Sequence, residues 1–397
     1  MSERLYDVGR SMSTDYFGLR DELRPDDLEL LLRARAYVDD EVLPVIGGFW
    51  ERAEFPYELA RRLGDLKLVG GEIQGHGLPE MSPTGAGLVQ MELNRGDGSI
   101  GTFLGVQSGL AMKSIDMLGS QEQKQRWLPT LGTVEQFGAF ALTEPLHGSD
   151  SVALESTARR DGDDWVLDGQ KRWIGNGTIA DVIVVWARDT GDGQVKGFLV
   201  EGGSPGLVAT RMEGKVSVRA VWQADITMTG VRVPEAARLP GAETFKDTGR
   251  VLSSTRGSVA WSALGHATAA YEVALAYSTQ REQFGQPLAS FQLVQDKLVR
   301  MLADVTGMQL YCLRIARLLE AGKLTDTIAS LAKLNNTRKA REVILQSREL
   351  LGGNGILLEY HVVRHMCDIE AIYTYEGTAD IQELIVGREI TGSSAFV

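Results

Sequence analysis

The chain has 397 residues, 43% of them hydrophobic, enough for two or three packed regions around a large core. Its 53 acidic residues outnumber 41 basic ones, and the net charge of −12 excludes a nucleic-acid binder, which needs clustered Lys and Arg to displace counterions from phosphates. Two cysteines, Cys312 and Cys367, are too few for a disulfide framework, and neither a signal-peptide pattern nor a run of about 18 apolar residues occurs, so a globular protein of the reducing cytoplasm with no membrane insertion is expected.

From Pro25 to about Gly119 apolar residues recur at helical spacing, as in Leu28, Leu31, Leu32, Tyr37, Val38 and Val42, which predicts a helical first region. Between about Phe140 and Phe245 short β-branched and aromatic runs alternate with turn dipeptides. There Asp168-Gly169 predicts a hairpin between Trp165–Leu167 and Lys171–Trp173. Val182–Trp186 and Gly197–Val200 flank a second turn, and the region as a whole reads as a small antiparallel β-domain. After Thr248 the helical period returns, in segments near 257–280, 292–321, 326–350 and 378–391, and predicts a helical bundle. The expected division is 1–137 helical, 138–245 β and 246–397 helical, an α+β chain with three packed regions.

Isolated motifs say little. Gly202-Gly203-Ser204-Pro205-Gly206 fits the hydrolase pattern G-x-S-x-G, but Pro205 and the strand-like Leu207–Ala209 follow the serine where a helix is required. A turn between strands is the better reading. His361, His365 and Cys367 have helical spacing for metal ligands but no clear fourth ligand, so a packed or solvated structural role is expected and no metal. Neither a dinucleotide-binding G-x-G-x-x-G nor a Walker-type loop occurs.

Five segments in fixed order are far more specific: Phe140–Asp150 (FALTEPLHGSD), Lys171–Asn176 (KRWIGN), Arg281–Gly285 (REQFG), Glu349–Gly355 (ELLGGNG) and Tyr375–Thr378 (YEGT). Together they resemble the acyl-CoA dehydrogenase family over nearly the whole chain. The branch they look most like holds the glutaryl-CoA dehydrogenases and the plant peroxisomal short-chain acyl-CoA oxidase. The resemblance implies a helical amino-terminal domain, a central antiparallel β-barrel and a carboxy-terminal helical bundle.

Oxidising an acyl thioester across Cα–Cβ removes an α-proton and a β-hydride. No side chain accepts hydride, so a cofactor must, and the resemblance makes it FAD. The base should be a carboxylate whose proton affinity is raised by burial. Glu376 stands at the family's catalytic position, and Gly377 beside it lets the backbone approach a ligand. Alone, the tetrapeptide would pass for a solvated loop before a helix.

The resemblance also assigns Phe140, Leu142, Thr143 and Ser149 to the flavin, with Ser149 near CoA, and places Trp173, Ile174 and Gly175 beside the ring system. Trp173 suits the β-domain core equally well. Arg281 would meet the FAD pyrophosphate, as its planar cationic fork allows. Phe284 and Gln292 would hold the adenine half, and Glu349, Gly352, Gly353, Thr378 and Asp380 would complete the site. Arg256 resembles a residue of the substrate-binding helix, a surface salt bridge being its plain alternative. In the family the Arg281 and Glu349 groups serve a neighbouring subunit's flavin, which implies a homotetramer built as a dimer of dimers.

Two positions depart from the nearest relatives. Gly101 stands where glutaryl-CoA dehydrogenases carry an arginine at the substrate, and a buried γ-carboxylate without a cation would be costly, so an uncharged acyl chain is expected. Gly175 replaces a threonine whose hydroxyl lies near the flavin, as in the plant oxidase, and would leave space for oxygen. The implied partners are therefore an acyl-CoA substrate and, as electron acceptor, either an electron-transfer flavoprotein or O2.

Overall fold

The computed structural model describes residues 14–395. Helices α1 (Pro25–Tyr37) and α2 (Leu43–Arg52) are joined by a π-helical turn, Val38–Val42. Then come α3 (Tyr57–Asp65), α4 (Pro83–Gly96), α5 (Gly98–Leu104), α6 (Lys113–Leu118) and α7 (Gln121–Gly132), a second π-helical stretch, Gly105–Met112, linking α5 to α6. Caps explain several starts. The Ser82 hydroxyl accepts the Gly85 N–H ahead of Pro83 at the first turn of α4, and Ser120 with Gln123 forms a reciprocal capping box on α7.

Seven strands form the middle region: β1 (Gly138–Ala141), β2 (Thr157–Asp161), β3 (Asp164–Gly175), β4 (Val182–Asp189), β5 (Val195–Glu201), β6 (Leu207–Arg211) and β7 (Gln223–Pro234). Their order is β1-β4-β2-β3-β7-β6, with β5 on the other edge of β4's ladder. Most pairings are antiparallel, but β1–β4 and β2–β4 are parallel: β1 arrives from the helical region rather than from a hairpin, and β3 turns back between β2 and β4. The predicted hairpin at Asp168-Gly169 is not there. β3 runs straight through it, and the pairing with β7 slips one residue between Leu167 and Gly169. A glycine inside a strand here marks a bulge, with Ser156 so close that a Cβ at Gly169 would lie 2.4 Å from its hydroxyl. The turn itself is one strand earlier, at Gly162-Asp163, where Gly162 has φ +65°. Gly202–Gly206 is the expected turn, between β5 and β6.

The last region is α8 (Phe245–Gln280), a short hairpin of β8 (Glu282–Gln283) and β9 (Gln286–Pro287), α9 (Gln292–Glu320), α10 (Asp326–Leu350), α11 (Val362–Thr374) and α12 (Ala379–Thr391). α8 starts 12 residues before the expected segment at 257, behind a capping box of Thr244 and Asp247. Its first turns carry Gly249, Ser253, Ser254 and Gly257, weak helix formers that packing and the cap hold in place. α11 lies outside the four expected bundle segments, over the stretch where the spacing of His361 and His365 predicts helix. No helix among the described residues is long and apolar enough to cross a membrane.

The regions are fastened by buried polar groups. Asp368 on α11 accepts the Trp50 indole N–H from α2 at 3.0 Å and the Val218 backbone N–H, from the β6–β7 connection, at 2.6 Å. Burial, then the charge of Asp97, pushes its carboxyl up to about 7. Beside it Arg364 pairs with Asp97, both fully buried, and His266 of α8 meets His365 of α11 at 2.7 Å between their Nδ1 atoms. Of the other two candidate metal-site residues, His361 faces the Arg364 guanidinium at 2.8 Å and Cys367 is a half-buried free thiol.

Candidate active site

α4, the π-helical stretch and α8 enclose a cavity of about 120 Å³. Its wall is mostly apolar or small: Leu68, Val89, Leu104, Gly105 and Gly109, with Trp261 of α8 against Gly87 of α4. The ring lies so near that a Cβ on Gly87 would sit 2.3 Å from it, which requires glycine there. Trp261 also borders a second, smaller cavity of about 40 Å³ reached past Leu88 and Leu264. The charged groups on the main wall are Glu72 and Lys113, 3.7 Å apart and paired.

Thr255 of α8 is the polar link from this wall to Glu376. Its hydroxyl lies 2.8 Å from Glu376 Oε2 and 3.0 Å from the Leu252 carbonyl. Glu376 has φ +53°, a conformation that costs a non-glycine residue energy and that the surroundings must enforce. They do so through the backbone. Gln382 Nε2 donates to the carbonyls of Glu376 and Gly377 at 3.2 and 3.0 Å, and the fully buried Lys333 of α10 donates to those of Tyr375 and Gly377. Gly377, at φ +88°, passes so close to Gln382 that a Cβ would lie 2.5 Å from its amide. The Glu376 residue is partly exposed, yet its carboxyl is deep enough that burial pushes it above the ordinary carboxylate range, against the Thr255 hydrogen bond and the charges of Lys333 and Arg256. Burial brings the Lys333 ammonium down to about 7, with Glu376 opposing and Arg256 reinforcing the shift.

Arg256 itself pairs with Asp326 of α10 and is mostly buried. Gly101, expected at the substrate, is not on the cavity wall. A Cβ there would lie 2.2 Å from the Asn94 amide, and its carbonyl accepts from Gln90, which does line the cavity.

The residues expected beside a flavin lie at one end of the sheet. Phe140 is buried against Trp186, and Leu142 and Thr143 follow β1 directly. The Thr143 carbonyl accepts the Arg172 N–H at 2.8 Å, while its hydroxyl has no hydrogen-bond partner among the described residues. Trp173, at φ +65°, is thrown out of β3 by a second bulge between Lys171 and Ile174 and is 55% exposed, so it is not β-domain core. Ile174 is core. At Gly175 a Cβ would lie 2.8 Å from Val106, so the space expected for oxygen is not found on that side of the glycine. Ser149 is exposed in the loop after Thr143. That loop is anchored by Glu144, whose carboxylate accepts from Lys171 Nζ at 2.8 Å and from the N–H groups of Glu155 and Ser156 at 2.6 and 3.0 Å. Neither Glu144 nor Lys171 was singled out in the sequence, nor were Thr255, Gln382 and Lys333. A lysine on the same buried stripe as Ala329, Ala332 and Asn336 was the available signal.

A second group lies elsewhere on the surface. Arg281, at the end of α8, is exposed and makes no ion pair among the described residues, and Phe284 in the following turn is 94% exposed. Gln292 opens α9, Glu349 is paired with Lys297 at 2.6 Å, and Gly352 and Gly353 turn the chain after α10. Thr378 and Asp380 belong instead beside Glu376: Thr378 follows Gly377 directly and caps α12, and Asp380 sits in its first turn. A large aromatic held outward on a strained bulge and a threonine hydroxyl without a partner among the described residues fit a planar ring, while the exposed Arg281 guanidinium, in the separate group, has the chemistry to meet a pyrophosphate.

Models of the acyl-CoA dehydrogenase amino-terminal, middle and carboxy-terminal domains match residues 24–135, 139–231 and 245–391. The mitochondrial short-chain specific acyl-CoA dehydrogenase of Bos taurus is 33% identical over 368 residues, 90% of this chain and 88% of that protein. Two structures of glutaryl-CoA dehydrogenase from Mycobacterium smegmatis are similar, one at 41% identity and TM-score 0.94, the other, in complex with FADH2, at 38% and 0.95, each spanning 97% of this chain and 99% of that one. Butyryl-CoA dehydrogenase from Megasphaera elsdenii follows at 29% identity and TM-score 0.89, over 93% of this chain and 99% of that one. The chain is therefore an FAD-dependent oxidoreductase of the acyl-CoA dehydrogenase family, acting on acyl-CoA.

Proposed function

We propose that the enzyme converts a short, uncharged acyl-CoA to its trans-2-enoyl-CoA, with Glu376 as the base for the α-proton. The observation that carries this reading is the desolvated Glu376 carboxyl joined by Thr255 to an apolar cavity. Bound FAD supplies the hydride acceptor for the β-position. Before reaction the Thr255 hydroxyl donates to the Glu376 carboxylate. Once Glu376 holds the α-proton, its O–H can donate to Thr255, whose own proton then turns to the Leu252 carbonyl. Both states are hydrogen-bonded, so no buried polar group is left unpaired on proton arrival.

Chain selection follows from the wall. Among the described residues its one charged pair is self-compensated, and Asn94 fills the space at Gly101, so a γ-carboxylate would meet no free cation from them there. Although the Mycobacterium smegmatis relatives act on glutaryl-CoA by name, this chain is assigned butyryl- to octanoyl-type thioesters. The electron acceptor is assigned as an electron-transfer flavoprotein rather than oxygen, because Val106 closes the space beside Gly175. The outward Arg281 and Phe284 support a role toward a second subunit's FAD within a homotetramer.

Anaerobic titration of the yellow enzyme with a panel of acyl-CoAs tests the reading. Butyryl- to octanoyl-CoA should bleach the flavin, glutaryl-CoA should not, and air should restore the colour only slowly while product stays bound. Bleaching by glutaryl-CoA with release of CO2, or hydrogen peroxide formed as fast as dye-linked turnover, would replace it with one of the two alternatives.

A further inference from the structure

The loop carrying Glu376 is gripped from beneath by a lysine, and the placement is unusual. Lys333 is fully buried near the start of α10 and forms no ion pair with a carboxylate among the described residues; its ammonium instead spans the carbonyls of Tyr375 and Gly377, the two residues flanking Glu376. A buried cation of this kind costs several kcal/mol in desolvation, which an ordinary structural position would avoid by carrying an apolar residue. Two carbonyls fixed on either side of a residue at φ +53° leave that residue one direction in which to project, toward Thr255.

We propose that Lys333 is a positioning residue for the dehydrogenation assigned above, clamping the 375–377 backbone so that Glu376 faces Thr255 and placing a positive charge behind the carboxylate. This rests on the reading of Glu376 as base. The groups facing Glu376 come from three elements: Thr255 and Arg256 from α8, Lys333 from α10, and Gln382 from α12 through the backbone. Arg256 is committed to Asp326, whereas Lys333, when protonated, has no paired carboxylate among the described residues. The clamp and the charge are separable. Methionine at 333 removes both with little change in volume, whereas glutamine can still donate to one carbonyl and carries no charge.

The test uses the FAD-loaded enzyme. Lys333→Met should bind FAD and butyryl-CoA while its flavin is reduced at least about 10-fold more slowly, and the acid limb of the reduction rate should move up by about one pH unit, because loss of a nearby cation makes the carboxyl harder to ionise. Lys333→Gln should recover part of the rate and keep the displaced limb. A carbon-13 titration of glutamate carboxyls, with the Glu376 signal identified by its absence in Glu376→Gln, should show the same upward shift without any turnover. If wild type fails to react with every acyl-CoA yet the carboxyl titration moves in Lys333→Met, the dehydrogenation reading falls and the clamp stands. Unchanged limb and titration in both variants would overturn the clamp and leave the dehydrogenation intact. Loss of fold or FAD in both variants would overturn it in favour of a purely structural lysine.

Discussion

At Glu376 the chemistry depends on one oxygen's ability to take a proton. Glu376→Gln preserves shape and leaves Lys333 and Gln382 holding the same carbonyls, so the variant should retain fold, FAD and acyl-CoA affinity. Flavin reduction should drop by about 10²–10⁴-fold, the usual effect of losing a general base, as stopped-flow absorbance will show. Gly175 behaves differently from what its neighbours in the sequence suggest. Gly175→Thr must displace Val106, which belongs to the π-helical stretch that also carries Ser108 and Gly109 of the cavity wall. Overpacking of this kind costs about 1–3 kcal/mol, so the variant should melt lower and reduce its flavin more slowly, with little change in air reoxidation. The double variant Val106→Ala, Gly175→Thr should regain much of the loss.

Among the elements, α4 and α8 set the depth of the cavity through Gly87 and Trp261. Trp261 is also the partition between the larger and the smaller cavity. Trp261→Leu should join them and move the preference of kcat/KM by several carbons toward longer acyl-CoAs, with a loss of stability from the space created. An unchanged chain-length profile would place the end of the substrate elsewhere. The sequence made some of these elements plain and hid others for physical reasons. α10 is legible because Thr325 starts it and the glycines at 352 and 353 stop it. The first turns of α8 are hidden, since their glycines and serines are weak helix formers held by the Thr244 cap and by burial of Thr248, Val251 and Thr255. Asp168-Gly169 reads as a turn because the residue types of a bulge and of a hairpin overlap, and only pairing with β7 decides between them. The Tyr375–Thr378 motif marks Glu376, but nothing local to it names Thr255, 121 residues earlier, or Lys333, whose partners are main-chain atoms without side-chain identity.

For the whole molecule, acid is the condition to which the α8–α11 junction is most sensitive. Burial holds His266 down to about 3 and His361 to about 4, from an ordinary 6.5, and His365 lower as well. The unfolded chain takes up these protons as pH falls through 6.5 and the folded chain does not, so stability is lost from there downward until the folded values are reached. Asp368 acts in the opposite sense, its stability contribution being present at low pH and lost as pH rises toward 7. Three groups outweigh one. Thermal melts should fall steeply between pH 6.5 and 4.5, and His266→Gln should flatten the slope, sparing about 2–3 kcal/mol at pH 4.5, two units below the ordinary histidine value.

The bonds that Asp368 receives from Trp50 and from Val218 tie a carboxylate of the last region to both of the others. Whichever region loosens first strips that carboxylate of a donor while it is still walled off from water, and the resulting penalty of about 1–3 kcal/mol or more falls on the regions that have not yet moved. Partial opening is thereby made self-propagating: the protein has little access to states in which one region is disordered and its neighbours are intact, and heat or denaturant should take it apart in one cooperative step.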